Sequence, residues 1–388
     1  MSSESEESQS GVEVRKAPST LRSDNPSVAN SALGNYMTIE SDENLLVASA
    51  SSEASSTASQ SNGIIHTEHS EHKPRLLLMG LKRSGKSSIS NVVFHKMAPH
   101  ETLFLEATTQ IKKDSMRSFM DFQVWDLPGQ IDYLDQSFDA DSIFGGVGAM
   151  IWVLDAQDNY MEAIVRLTET IVHLQQSFPE IKYSVFIHKT DSLAEDYRED
   201  IIRDITQRVS DDLFDAGLEN PPVSFYPTSI YDYGIFEAFS KVIQSLIPQL
   251  PVFEALLNTI TASCRFEKVY LFDVLSKIYI ASDTSAAELA TYGLCSDYID
   301  VIVDLSEVYG WERGRKDDGS KRAKDISKQS AESFISNVKG YSLYLREINT
   351  YLALVGISKE ARFEPEKALV DYNVQALQKT LKKVLRRG

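Results

Sequence analysis

The stretch Arg75-Leu-Leu-Leu-Met-Gly80-Leu-Lys-Arg-Ser-Gly85-Lys86-Ser87-Ser88 runs an apolar segment straight into the spacing G-x-x-x-x-G-K-S. Few folds accommodate that pattern. A buried strand must end in a tight turn and a helix must begin near Lys86, because only then do successive backbone N–H groups point inward at one anion with the positive end of a helix behind them. The two glycines permit the turn. Lys86 then brings an ammonium to the outer phosphates, and the Ser87 hydroxyl is placed to ligate the Mg²⁺ that bridges them. The pattern predicts a phosphate-binding loop for a nucleoside di- or triphosphate, contacted by Arg83, Ser84, Gly85, Lys86, Ser87 and Ser88. The side chains of Lys82 and Arg83 have surface charge as their other reading, since the anion nest itself is made of backbone.

Downstream, Phe122-Gln-Val-Trp-Asp126 is strand-like and ends in an acid, and Leu127-Pro-Gly129-Gln130 completes D-x-x-G-Q. Following a phosphate loop, the strand-end carboxylate of Asp126 is expected to hold Mg²⁺ through water, and the Gly129 N–H to sense the terminal phosphate. Gln130 stands where a side-chain amide orients an attacking water. A third element addresses the base: Tyr183-Ser-Val-Phe-Ile-His188 runs into Lys189-Thr-Asp191. A carboxylate accepts two hydrogen bonds from guanine N1–H and N2–H₂, a donor pair that adenine lacks, so Asp191 selects guanine. Lys189 would lay its aliphatic stem along the base. His188 stands where N-K-x-D has Asn and retains one hydrogen-bond donor. In Ser224-Phe-Tyr-Pro-Thr-Ser229-Ile230, backbone N–H groups at Ser229 and Ile230 would meet the guanine carbonyl.

Together with Val92-Val-Phe-His-Lys-Met97, Glu101-Thr-Leu-Phe-Leu-Glu106 and Asp155-Ala-Gln-Asp158, these motifs resemble the Rag GTPase family, on its RagC/RagD side and in its fungal form. The similarity runs from about 74 to 385. The resemblance implies a P-loop small-GTPase domain followed by an α+β roadblock/longin-like dimerisation domain. It implies a switch-I threonine completing the Mg²⁺ shell, for which Thr102, Thr108 and Thr109 are candidates and the family spacing from Ser87 selects Thr108. It also implies a heterodimer with a RagA-type GTPase, a lipidated membrane scaffold complex, a GTPase-activating regulator, and output to the target-of-rapamycin kinase complex from the GDP form. The cofactors are then GTP/GDP and Mg²⁺, and Gln130 with Lys86 is the catalytic pair. Without a cis arginine finger, unaided turnover is expected on the order of 10⁻⁴ to 10⁻³ per second. Two alternatives stand beside this: a scaffold whose nucleotide is structural, suggested by His188, and an ATP-using P-loop enzyme, which Asp191 argues against.

Composition supports two folded units behind a tail. Residues 1–73 are Ser- and Glu-rich and poor in aromatics, too polar to offset ordering entropy, and are expected to be disordered. From 74 to 250 short apolar runs alternate with helical stretches, which predicts an α/β sheet with parallel strands, and 110–119 is expected to be its edge strand, leading by a turn to the buried strand at 122–125. Two prolines in Ile247-Pro-Gln-Leu-Pro-Val252 mark a boundary. From 251 to 388 the pattern reads α-β-β-α-β-β-α, with strand pairs over 268–280 and 341–357 and helices over 298–309 and 367–385.

The net charge of −17 argues against nucleic acid, and the charged insert over 312–325 reads as a solvated loop. With no apolar stretch of about 18 residues, no leader, no terminal cysteine motif and Ser2 after Met1, direct membrane insertion is not expected. The expected location is cytoplasmic, with recruitment to the vacuole or lysosome surface through partners. Two cysteines in 388 residues fit a reducing compartment.

Overall fold

The structure is a computed structural model and describes residues 74–116, 122–131, 133, 138–218, 222–286, 288–308, 332–336, 341–349, 351–359 and 363–385. The run RLLLM forms strand β1 (Arg75–Met79). Leu76 and Leu78 point to one core and Leu77 and Met79 to another, so the strand is apolar on both faces and must be covered on both. It accordingly lies inside a six-stranded sheet of order β2-β3-β1-β4-β5-β6. The other strands are β2 (Lys112–Met116), β3 (Phe122–Asp126), β4 (Val147–Asp155), β5 (Lys182–His188) and β6 (Val223–Thr228). All pairings are parallel except β2 with β3. The antiparallel strand KKDSM is the exposed edge, where its two lysines discourage further strand addition.

Helices α1 (Lys86–His95) and α5 (Gly234–Ser245) close one face through Ile89, Val93, Ile235 and Phe239. On the other face α3 (Met161–Ser177) and α4 (Glu195–Asp215) pack Leu167, Ile171, Ile205 and Val209, and the short α2 (Ala140–Phe144) adds Ile143 and Phe144. Because β1, β3, β4, β5 and β6 are parallel, their C-terminal ends share one sheet edge, where α/β proteins bind ligands. Met79, Asp126, Asp155, His188 and Thr228 all lie there.

A second, antiparallel sheet has five strands in the order β8-β7-β11-β10-β9. Its elements follow the chain as α6 (Leu250–Cys264), β7 (Lys268–Asp273), β8 (Tyr279–Ser282), α7 (Leu289–Val308), β9 (Glu332–Ser336), β10 (Ser342–Glu347), β11 (Leu352–Ser358) and α8 (Phe363–Leu385). Alternation in β7 again sorts the faces. Val269 and Leu271 meet α6 and α8, whereas Tyr270 and Phe272 meet Tyr292, Cys295 and Ile299 of α7. The two sheets are joined through α5. Ser240 Oγ accepts from Tyr279 N (3.0 Å) and Gln244 Nε2 donates to Tyr279 O (3.2 Å), so buried side chains stand in for a neighbour to edge strand β8. Beside them the Tyr233 hydroxyl donates to Asp297 Oδ1 (2.6 Å).

The second sheet corrects the sequence expectation in two ways. Its order is α-β-β-α-β-β-β-α, because Glu332–Ser336 adds a strand at the edge beside β10. ESFIS is short, carries a charge and two serines, and borders the charged insert, so nothing in its pattern marks a strand. Helix α7 also begins at Leu289 instead of 298, extending across Thr291 and Gly293, two weak helix formers. The tail 1–73 and the insert over 312–325 lie outside the described residues.

Candidate functional site

The loop between β1 and α1 folds around Lys86. This side chain is 5% exposed, and its Nζ donates to Gly80 O (2.9 Å), Leu81 O (2.8 Å) and Ser84 Oγ (3.4 Å). Burial pulls its pKa down to about 8, against the opposing pull of the Asp126 carboxylate. A cation desolvated in this way has a strong demand for an anion. Gly85 takes φ +104°, and a Cβ there would lie 2.6 Å from the His188 ring, so both its backbone and its contact with the base loop require glycine. Arg83 is also left-handed, at φ +66°, with an exposed side chain; Ser84 is buried and Ser88 half-buried on α1.

At the loop's mouth three oxygen-bearing side chains converge. Ser87 Oγ donates to Asp126 Oδ2 at 2.5 Å and lies 2.7 Å from Thr108 Oγ1, which is itself 3.3 Å from Asp126 Oδ2. Asp126 is 2% exposed, and its Oδ1 has no hydrogen-bond partner. A buried carboxylate oxygen left unsatisfied beside two hydroxyls is a hard-oxygen set suited to a small divalent cation. Of the three switch-I candidates, Thr108 is the one brought to this cluster. Thr102 is buried in a 3₁₀ turn (Pro99–Phe104) with its hydroxyl donated to Pro99 O (2.7 Å), and Thr109 is exposed.

Gly129 presses on the phosphate loop: a Cβ there would stand 2.5 Å from Leu81 C and Lys82 N and 2.6 Å from Gly80 O. Gln130 follows it, exposed at the end of the turn. Tyr133 closes this segment from beneath, its hydroxyl donating to Pro128 O (3.3 Å).

The elements around His188 and Ser229, expected from the sequence to address the base, meet across the β5–β6 register, in which His188 pairs with Thr228. His188 is 2% exposed, its Nδ1 lies 3.1 Å from Thr228 Oγ1, and burial pushes its pKa down to about 4, so the ring is neutral. Ser229, fully buried, donates its hydroxyl to Asp191 Oδ1 (2.6 Å) and accepts from Tyr231 N (3.0 Å). Asp191 itself is exposed, with Oδ2 accepting from Ser192 Oγ (3.3 Å). Lys189, at φ +65°, sends its ammonium to Arg83 O (3.0 Å) and to the Asp155 carboxylate. Ile230, half-buried, packs on the core beside Ser229. Sequence reasoning missed the side-chain roles of Ser229, Thr228 and Asp155. Their signal was positional: each ends or follows a parallel strand at the ligand edge.

A family model described as the Gtr1/RagA G protein conserved region matches residues 75–299. Over 318 residues the chain is 52% identical to Ras-related GTP-binding protein C of Homo sapiens, covering 81% of this chain and 78% of that protein. Over 313 residues it is 50% identical to GTP-binding protein gtr2 of Schizosaccharomyces pombe, covering 80% and 98%. The chain belongs to the Gtr/Rag family of G proteins. Within that family it is of the RagC type, since against GTP-binding protein GTR1 of Saccharomyces cerevisiae identity falls to 28% over 218 residues, 55% of this chain and 70% of that protein. A Rag-family chain is a guanine-nucleotide-binding GTPase.

Proposed function

We propose that this chain is the RagC-type half of a heterodimeric Rag switch, and that the cluster of Ser87, Thr108 and Asp126 holds Mg²⁺ beside the bound nucleotide. The observation that carries the reading is the orphaned Oδ1 of buried Asp126, facing a need that neither hydroxyl meets. Mg²⁺ bound there would supply positive charge to the phosphates as the bond to the leaving group breaks. Lys86 and the loop N–H groups bind and orient the phosphate chain, and Asp191, braced by Ser229, binds the guanine edge. Gly129 brings the second switch against the phosphate loop, which sets Gln130 to position a water in line with the terminal phosphate. Charge stabilisation in the transition state rests on Lys86 and the backbone donors, so unaided turnover is slow, on the order of 10⁻⁴ to 10⁻³ per second.

The partner is a RagA-type G protein, engaged through the second sheet, which we read as the roadblock-like dimerisation domain. No helix of the described residues is long and apolar enough to cross a membrane, and recruitment to the vacuole or lysosome surface would come through a lipidated scaffold. The output is amino-acid sufficiency signalled to the target-of-rapamycin kinase complex from the GDP form, with a GTPase-activating regulator supplying speed. The enzymatic part is tested by single-turnover hydrolysis of preloaded GTP. Gln130→Leu should retain GTP while losing at least tenfold in rate; an undiminished rate would remove Gln130 from the mechanism.

A further inference from the structure

Lys189 is held in an unusual way. Its backbone is left-handed at φ +65°, a conformation that L side chains rarely adopt, and the residue whose carbonyl it reaches, Arg83, is left-handed too at φ +66°. Two strained loops, one from the base side and one from the phosphate side, therefore face each other across a single ammonium. Of the two loops, only the phosphate-side one holds that ammonium, through the neutral Arg83 carbonyl (3.0 Å). The ammonium is anchored by Asp155, the last residue of β4, whose Oδ2 takes the Lys189 Nζ while Oδ1 accepts from Gln157 N (2.9 Å) and fixes the carboxylate in its turn. The Asp155 side chain is 16% exposed and that of Lys189 32%, so the pair is partly shielded from water. The strand beneath is fixed as well: Asp155 registers with His188, and the ladder continues through Ala156 N to His188 O (2.9 Å).

We propose that Asp155 is a positioning residue for guanine-nucleotide binding: its charge holds the Lys189 ammonium between the base loop and the phosphate loop, which lays the Lys189 stem flat where the purine and ribose rest. The inference depends on the reading of residues 188–191 as the base site. A lysine stem covers a ring face only if its head group is fixed, because the four-carbon chain otherwise samples many rotamers. The Arg83 carbonyl alone is an exposed, neutral acceptor. Asp155 supplies the charge, from a strand end that does not itself touch the base edge. The consequence is specific. Loss of the charge should loosen every purine nucleotide alike, since the face of the ring is affected and its hydrogen-bonding edge is not.

The test uses the full-length chain and the dissociation rates of fluorescent GDP and of the corresponding inosine diphosphate, which lacks the 2-amino group. Asp155→Asn keeps an oxygen for Gln157 N, so the turn survives, but removes the charge. It should speed release of both nucleotides about fivefold, as loss of a partly shielded ion pair implies, with their ratio unchanged. Asp155→Glu should recover most of the loss. In a Lys189→Met background, which releases nucleotide fast on its own account, Asp155→Asn should add nothing. An Asp155→Asn rate within twofold of the parent while Lys189→Met is fast would overturn the role of Asp155 and leave the base site standing. An equal effect of Asp155→Asn with and without Lys189 would also overturn it, by showing a purely structural loss. Parallel measurement of Asp191→Asn separates the two readings: if it brings no gain for xanthine nucleotide and Lys189→Met is silent, the base site fails and the proposal with it.

Discussion

Lys86 carries an ammonium whose burial favours the neutral form, with a pKa near 8 in the ligand-free chain. A phosphate beside it reverses that preference, so nucleotide binding near pH 8 takes up a proton and affinity falls as pH rises through 8. Calorimetry in buffers of different ionisation enthalpy should show fractional proton uptake at pH 8 and almost none a unit and a half lower; equal uptake at both would contradict the burial of Lys86. His188 behaves in the opposite sense to a paired histidine. The folded ring stays neutral down to about pH 4, while in the unfolded chain it protonates near 6.5. Its stabilising contribution is therefore complete above about pH 6.5 and is lost as pH falls toward 4, by about 3 kcal/mol in full. His188→Asn should flatten this part of the stability curve, visible as a smaller drop in urea midpoint between pH 7 and pH 4.5 than in the parent. At this scale the phosphate and base residues were legible because their chemistry demands fixed types at fixed spacing. Ser229 and Asp155 were not, because a hydroxyl or carboxylate that supports another side chain is identified by strand register, which only the folded sheet supplies.

Among the elements, the segment 127–130 and the phosphate loop meet without room for a methyl group. Gly129→Ala would drive a Cβ into backbone of residues 80–82, where no side chain can swing aside. Hydrolysis of bound GTP should fall at least tenfold while GDP binding persists, since the displaced segment serves the terminal phosphate. A rate within threefold of the parent would show that the contact opens freely. The joint between α5 and β8 makes a stability prediction. Ser240→Ala or Gln244→Ala each leaves a backbone group of Tyr279 without its acceptor or donor in a buried place, at a cost of about 1–3 kcal/mol by chemical denaturation. Strands of the first sheet were readable from sequence because burial on both faces makes them continuous apolar runs. Edge strand β9 was not, since half its neighbours are absent and its residues need not be apolar.

For the molecule as a whole, one core runs from the α5 face of the first sheet through Val242 and Phe253 to Val269 and Leu271 of the second and Val374 of α8. The two sheets are thus welded by packing as well as by Tyr233, Ser240 and Gln244, and the nucleotide edge and the second sheet belong to one continuous body. The sequence announced a change of fold at the prolines near 250 but held no sign of this weld, because an amphipathic helix reads the same whether its apolar stripe meets one sheet or two. As a whole this body is read as a guanine-nucleotide switch working in a pair. The most direct measurement is purification of the full-length chain from its own cells, with chromatographic identification of bound nucleotide and mass identification of bound protein. Guanine nucleotide should be found at close to one per chain together with a RagA-type G protein; adenine nucleotide or none, or guanine nucleotide on a chain without such a partner, would rule out the paired switch.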